Sequence, residues 1–143
     1  MSRTEIRLPD RFLFSTNIPI RNSDINAGRH VAFHMVLSFT EEARIRFWRS
    51  LGYSEGKQGV AVITVDAAVI YKKQGFYGQT LKVEVGLADF HAKGCDMIFR
   101  MSDLETGEEM FRAKTSLLFF DYQQQKVVPV PEDFRKRIAA LQP

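Results

Sequence analysis

The chain has a single cysteine, Cys95, in 143 residues. An internal disulfide is therefore excluded, and so is a metal centre built on several thiolates. No uncharged apolar run approaches the roughly eighteen residues that a membrane-crossing helix needs, and the opening MSRTEIRLPDRF has no apolar signal core. A cytoplasmic protein with no membrane partner is expected. Also missing are a Gly-x-Ser-x-Gly nucleophile turn, a phosphate-cradling glycine loop and any His, Cys and Asp spacing that reads as a metal site. There is no internal repeat, linker or low-complexity tract, so residues 1–143 are read as one domain. The net charge is only +3, with Lys and Arg scattered among acidic residues, which argues against a nucleic-acid partner.

What is present is organised around residues 22–53, NSDINAGRHVAFHMVLSFTEEARIRFWRSLGY. A polar turn, Asp24 to Gly28, is followed by His30 and His34, and no Pro or Gly then occurs before Gly52. Phe33, Val36, Leu37, Thr40, Ala43, Phe47 and Leu51 recur at helical spacing, which predicts a long helix with one continuous apolar face. Ala32, Met35 and Phe39 add a second apolar face near its start, so that end is expected to be enclosed. Glu41 with Arg44 and Glu42 with Arg46 are spaced to pair along the helix, and Gly52 supplies its stop.

Around this helix the pattern is that of strands. Residues 12–21 alternate, with Pro19 pointing to an edge. A polar loop, SEGKQG, follows the helix. VAVITVDAAVIYKK is β-branched, with Asp66 the odd residue in it and expected on the wet face. QGFYGQ reads as a Gly-bounded turn, and TLKVEVGLADFHA, CDMIFRMSDL and MFRAKTSLLFFDY read as three further strands. PVPEDFRKRIAAL reads as a short helix with Pro131 in its first turn. Hairpin-linked strands favour an antiparallel sheet, and one apolar helix must then lie on a face of it, an α+β arrangement. Such a sheet leaves edges exposed, so a homo-oligomer is expected.

The segment SDINAGRHVAFHMVLSFTEEARIRFWRSLGY resembles the signature of hotdog-fold acyl-CoA thioesterases of the 4-hydroxybenzoyl-CoA thioesterase type. That signature is Asp-x-Asp-x-x-Gly-His-Val-Asn-Asn, then an apolar helix with Glu-Ala-Arg, ending near Leu-Gly-Tyr. VDAAVIYKKQGFYGQTLKVEV is similar to that family's next strands, with their Tyr-x6-Gly-x2-Leu rhythm. Asp24, His30, Val31, Glu42, Ala43, Arg44, Leu51, Gly52 and Tyr53 match. Asn26 stands where the signature has its second acid, Arg29 where it has Gly, and Ala32-Phe33 where it has Asn-Asn. The resemblance implies a hotdog fold with five or six antiparallel strands wrapped around one long central helix. It implies hydrolysis of an acyl-CoA or similar thioester, with coenzyme A entering as part of the substrate and no further cofactor or metal. It also implies a homodimer or dimer of dimers with active sites between subunits.

Thioester hydrolysis needs a polarised carbonyl and an activated water. Unpaired N–H groups at a helix start supply the first, and the resemblance points at the Phe33 N–H; alternatively Asn26 or Gly28 caps the helix there. The Asn26 amide does not ionise, so it is expected to position water or carbonyl, with His30 beside it. Glu42, at the position the family matches, is then the expected base, with Glu41 next to it; alternatively Glu42 only pairs with Arg46. Asp24, His34, Glu41, Lys72 and Lys73 are candidates around the substrate, Asp24 also as a fastener of the loop. Lys93, Arg100 and Lys114 are further cations for the coenzyme A phosphates. His91 is read as a surface residue and Cys95 as a packing residue. Two alternatives on the same fold are a non-hydrolytic acyl-thioester binding module, since the motif acid is absent, and a hydratase or dehydratase using His30 with Glu42.

Overall fold

The helical periodicity is realised as α1, Met35–Ser50, which buries Val36, Phe39, Thr40, Ala43, Phe47 and Trp48. The computed structural model describes residues 2–54 and 61–142. The expected polar loop after α1 lies largely outside those residues. The strands are β1 (Phe14–Pro19), β2 (Val62–Tyr71), β3 (Thr80–Ala88), β4 (Gly94–Asp103), β5 (Glu109–Asp121) and the short β6 (Lys126–Val127), and α2 (Glu132–Ala140) follows. All ladders are antiparallel. Pro131 sits just before α2, as its N-cap, rather than in its first turn.

The strand order is β1-β3-β4-β5-β2, with β6 on the end of β5. One expectation needs correcting. QGFYGQ does not close a hairpin, because β1 already occupies the free edge of β3 from Phe14↔Val85 to Pro19↔Thr80. β2 therefore pairs with β5, and the turn carries the chain from one edge of the sheet towards the other. Pro19 lies at the end of an edge strand, where its missing N–H costs no ladder bond.

Period-two alternation places one set of side chains on the helix. Leu81, Val83 and Val85 of β3, Met97, Phe99 and Met101 of β4, and Phe111, Ala113, Leu117 and Phe119 of β5 form one core with Val36, Phe39, Ala43 and Phe47. The sheet thus wraps the helix as the resemblance implies. The opposite face is not wholly wet. Ile6 and Leu8 of the N-terminal segment cover Ile70 and Ile98 in a second, smaller cluster. At the other end of α1, Phe134 of α2 is fully buried and meets Trp48 edge-on at 5.2 Å. Cys95 is buried, and burial pushes its thiol up to about 12. No helix among the described residues is long and apolar enough to cross a membrane.

Candidate active site

Between β1 and α1 the chain is held almost entirely by its own backbone. A 3-10 turn, Asn22–Asp24, leads in. Asp24 is fully buried; its carboxylate accepts the Arg21 N–H at 2.7 Å and pairs with the Arg21 guanidinium at 3.2 Å. Its carbonyl accepts the Ala32 N–H at 3.0 Å, so the two ends of the loop are tied together. Between them the Asn26 N–H donates to the His30 carbonyl (3.0 Å) and the Arg29 N–H to the Asn26 carbonyl (2.9 Å). The Asn26 side-chain oxygen accepts the Gly28 N–H at 3.0 Å, an Asx-type closure that leaves the amide NH₂ free to reach outward. The Val31 N–H then donates to the Gly75 carbonyl at 2.8 Å, docking the loop on the segment after β2. A Cβ at Gly75 would come within 3.1 Å of the Ile20 and Val31 side chains, which would have to give by a few tenths of an ångström.

α1 begins without a side-chain cap: His34 is its N-cap residue and bonds no first-turn N–H. Neither Asn26 nor Gly28 caps the helix, which settles that alternative. Among the described residues no acceptor takes the backbone N–H of Phe33 or His34. These two amides therefore keep the partial positive charge of a helix start.

Phe33 adjoins a cavity of about 420 Å³ that is also lined by Asn26, His30 and Val31 from the loop, Tyr71, Lys72 and Lys73 at and just past the end of β2, and Phe111 from β5. The structure thus brings together five of the candidates read from the sequence. His30 is half-buried, with Nδ1 3.3 Å from the Val31 carbonyl. The tautomer that satisfies this contact carries its hydrogen on Nδ1 and leaves the Nε2 lone pair open. Tyr71 has no assigned role in the sequence reading, although it opens the Tyr-x6-Gly-x2-Leu rhythm. Its hydroxyl donates to the Phe33 carbonyl at 2.7 Å, and its ring stands edge-on to Phe111 at 6.1 Å.

The cations at the rim are partly neutralised. Lys72 reaches Glu109 at 3.3 Å and Lys73 reaches Glu108 at 2.6 Å. The Arg112 hydrogen bonds hold the Glu109 carboxyl below the ordinary range. Arg100 and Lys114 lie on the sheet face turned away from α1, beside Glu84 (2.9 Å) and Asp96 (3.9 Å).

Four candidates are not brought to this cavity. Asp24 is buried beneath the loop and serves as its fastener. His34 is exposed, 5.7 Å edge-on to Phe33. Glu42 lies about two turns, or roughly 10 Å, along α1, in a separate groove with Ile18 and Pro19. There it accepts from Arg46 Nε at 2.8 Å, while Arg46 also donates to Thr16 and to the Asn17 carbonyl. Within one protomer, then, Glu42 is not a base beside Asn26; it makes the ion pair that its spacing also predicted. Glu41 is exposed and lines both that groove and a third one, with Leu37, Arg44, Thr64 and Ala67, on the β2 side of the helix.

A family model described as the thioesterase-like superfamily matches residues 20–138. The chain belongs to that superfamily. Its match starts at the last residues before the 3-10 turn and includes every cavity residue named above. Among solved structures of similar fold is a 1,4-dihydroxy-2-naphthoyl-CoA thioesterase from Synechocystis, 20% identical, with a TM-score of 0.80 over 91% of this chain and 98% of that one. Another is a thioesterase from Thermus thermophilus complexed with coenzyme A and zinc, 22% identical, with a TM-score of 0.79 over 90% and 98%. At these identities the likeness shows a hotdog fold shared with thioesterases. A chloroplastic acyl-[acyl-carrier-protein] hydrolase of Cuphea viscosissima is 22% identical over an alignment of 138 residues that covers 90% of this chain and 34% of that protein. The chain thus spans about a third of the length of the curated relatives it matches.

Proposed function

We propose that this thioesterase-like chain hydrolyses an acyl thioester, acyl-CoA being the expected form, in the cavity at the start of α1. The observation that carries the reading is the unpaired amide of Phe33 beside Asn26 and His30. The thioester carbonyl docks on the Phe33 amide, which stabilises the oxyanion as water adds. The Asn26 NH₂ holds the water, and His30 Nε2 takes its proton. Collapse of the tetrahedral intermediate breaks the carbon–sulfur bond, and the imidazolium returns the proton to the leaving thiolate. Water and thioester are thereby converted to acid and thiol. Val31, Phe33, Tyr71 and Phe111 offer apolar walls to the acyl group, while Lys72 and Lys73 meet the phosphates in competition with Glu108 and Glu109.

The reading includes a second copy of the chain. β2 is an edge strand, and Thr64 to Ala67 at its middle are exposed. A partner strand along it would lie beside Glu41, which, unlike Glu42, lines the groove on the β2 side of α1 as well as the one on the β1 side. Thiol release from a panel of acyl-CoAs tests the activity. His30→Gln is expected to lower kcat by about 10²-fold or more, while Glu42→Gln stays within about threefold of the parent, a ratio of under 1 kcal/mol. Saturable binding without thiol release would replace the hydrolase reading with a binding module. The reverse ranking of the two variants would return the role of base to Glu42.

A further inference from the structure

The geometry points to Tyr71 as a positioning residue that sets the Phe33–His34 peptide plane and, by restraining the backbone at Phe33, the Phe33 N–H offered to the substrate carbonyl. The inference rests on the hydrolytic reading of this site. Phe33 is 73% exposed, so side-chain packing does little to fix it. Its backbone is not locked by the helix either. In a regular first turn the Leu37 N–H would donate to the Phe33 carbonyl, but here it donates to His34 at 3.2 Å. Among the described residues the Phe33 carbonyl is held by one group, the Tyr71 hydroxyl, from 38 residues away.

A trans peptide places C=O and N–H on opposite edges. Anchoring the Phe33 carbonyl on Tyr71 therefore turns the His34 N–H away from Tyr71, where it reports the peptide's orientation, and limits the rotation at Phe33 that would re-aim the Phe33 N–H beside the cavity. Donation to the carbonyl also polarises the peptide, making its N–H a stronger donor. Tyr71 is well fixed for the task. It ends β2, pairs in register with Phe111, and packs its ring against that buried side chain. Burial raises its hydroxyl above the ordinary phenol value, so it remains a donor through the neutral range.

The test is Tyr71→Phe in the full chain, which keeps the ring and removes one hydroxyl. Hydrolysis of an acyl-CoA turned over by the parent is measured together with the ¹⁵N–¹H resonance and exchange rate of the His34 amide. The expected result is a kcat about tenfold lower, a difference of about 1.4 kcal/mol. KM stays within about twofold, a difference below half a kcal/mol, and the His34 amide shifts and exchanges faster. Unchanged kcat with an unmoved His34 amide overturns the proposal. So does a parallel loss in kcat and KM that follows a fall in melting temperature, the mark of a merely structural bond. If the parent releases no thiol from any acyl-CoA, the hydrolase reading fails by itself. The His34 resonance in Tyr71→Phe still decides the positioning role, and an unmoved amide rejects it.

Discussion

Arg29 carries the chain through φ 67°, in the left-handed region that favours glycine. Its position is the one where the family signature has Gly, so the departure read from the sequence coincides with a backbone demand in the structure. An L side chain there costs roughly 1 kcal/mol. Arg29→Gly is therefore expected to stabilise the fold, raising the melting temperature by about 3 °C. Arg29 lines no part of the cavity, so thiol release should stay at the parental rate. An unchanged or lower melting temperature would show that the turn tolerates arginine without strain. Asn26 was singled out in the sequence as a holder of water or carbonyl, or as a helix cap; that its side-chain oxygen instead closes the turn on the Gly28 N–H appears only in the structure. The choice between Glu41 and Glu42 was not legible, because it depends on which side of α1 meets β1 and which meets β2. Tyr71 escaped for a related reason. Its partner, the Phe33 carbonyl, is identified only once β2 is laid on the far edge of the sheet.

Among the elements, α1 and the β3–β5 meander were readable from period 3.6 and period two, since each buries one regular face. The placement of β2 was not, because it follows from β1 having taken the edge of β3. α2 was readable, but its attachment was not. Tyr53, just past α1, donates to Asp133 of α2 at 2.5 Å, and Arg137 stacks over its ring at 4.7 Å while also bonding the Leu51 carbonyl. Burial, reinforced by the Asp133 hydrogen bond, raises the Tyr53 hydroxyl from 10.0 to about 12. The neutral form is thus favoured in the folded state. Its contribution is complete below the ordinary phenol value and disappears as pH rises through the folded value. Chemical denaturation of the parent and Tyr53→Phe should show the parent's advantage at pH 8 and its loss between pH 10 and about 12. A difference that stays constant across that window would mean that α2 is held by Phe134 and Arg137 alone. The Trp48 indole N–H, buried in the same region, has no partner among the described residues, and no physical account of it follows from the packing.

For the whole molecule, the decisive feature is that the cavity ends at an open edge. Tyr71, Lys72 and Lys73 close one side of it, and all three stand at or just past the end of β2. β2 is ten residues long, with Val65 51% exposed at its bulge and Leu37 of α1 41% exposed nearby. A long edge with exposed apolar residues is a template for pairing with another chain. Natural proteins guard such an edge with charges, and here Asp66 alone stands in the stretch from Thr64 to Ala67. A second copy laid antiparallel on β2 would satisfy the unpaired backbone groups and cover Val65 and Leu37. It would also bring Glu41 to the boundary between the two subunits. The expected solution mass by light scattering is therefore about twice the 16.4 kDa of one chain. Val65→Lys combined with Leu37→Lys places charge at the centre of that contact and should yield a folded monomer. If the partner completes the site, the monomer loses at least about tenfold in kcat, a difference of about 1.4 kcal/mol. Full turnover by a verified monomer would confine the chemistry to Asn26, His30 and the Phe33 amide of a single protomer.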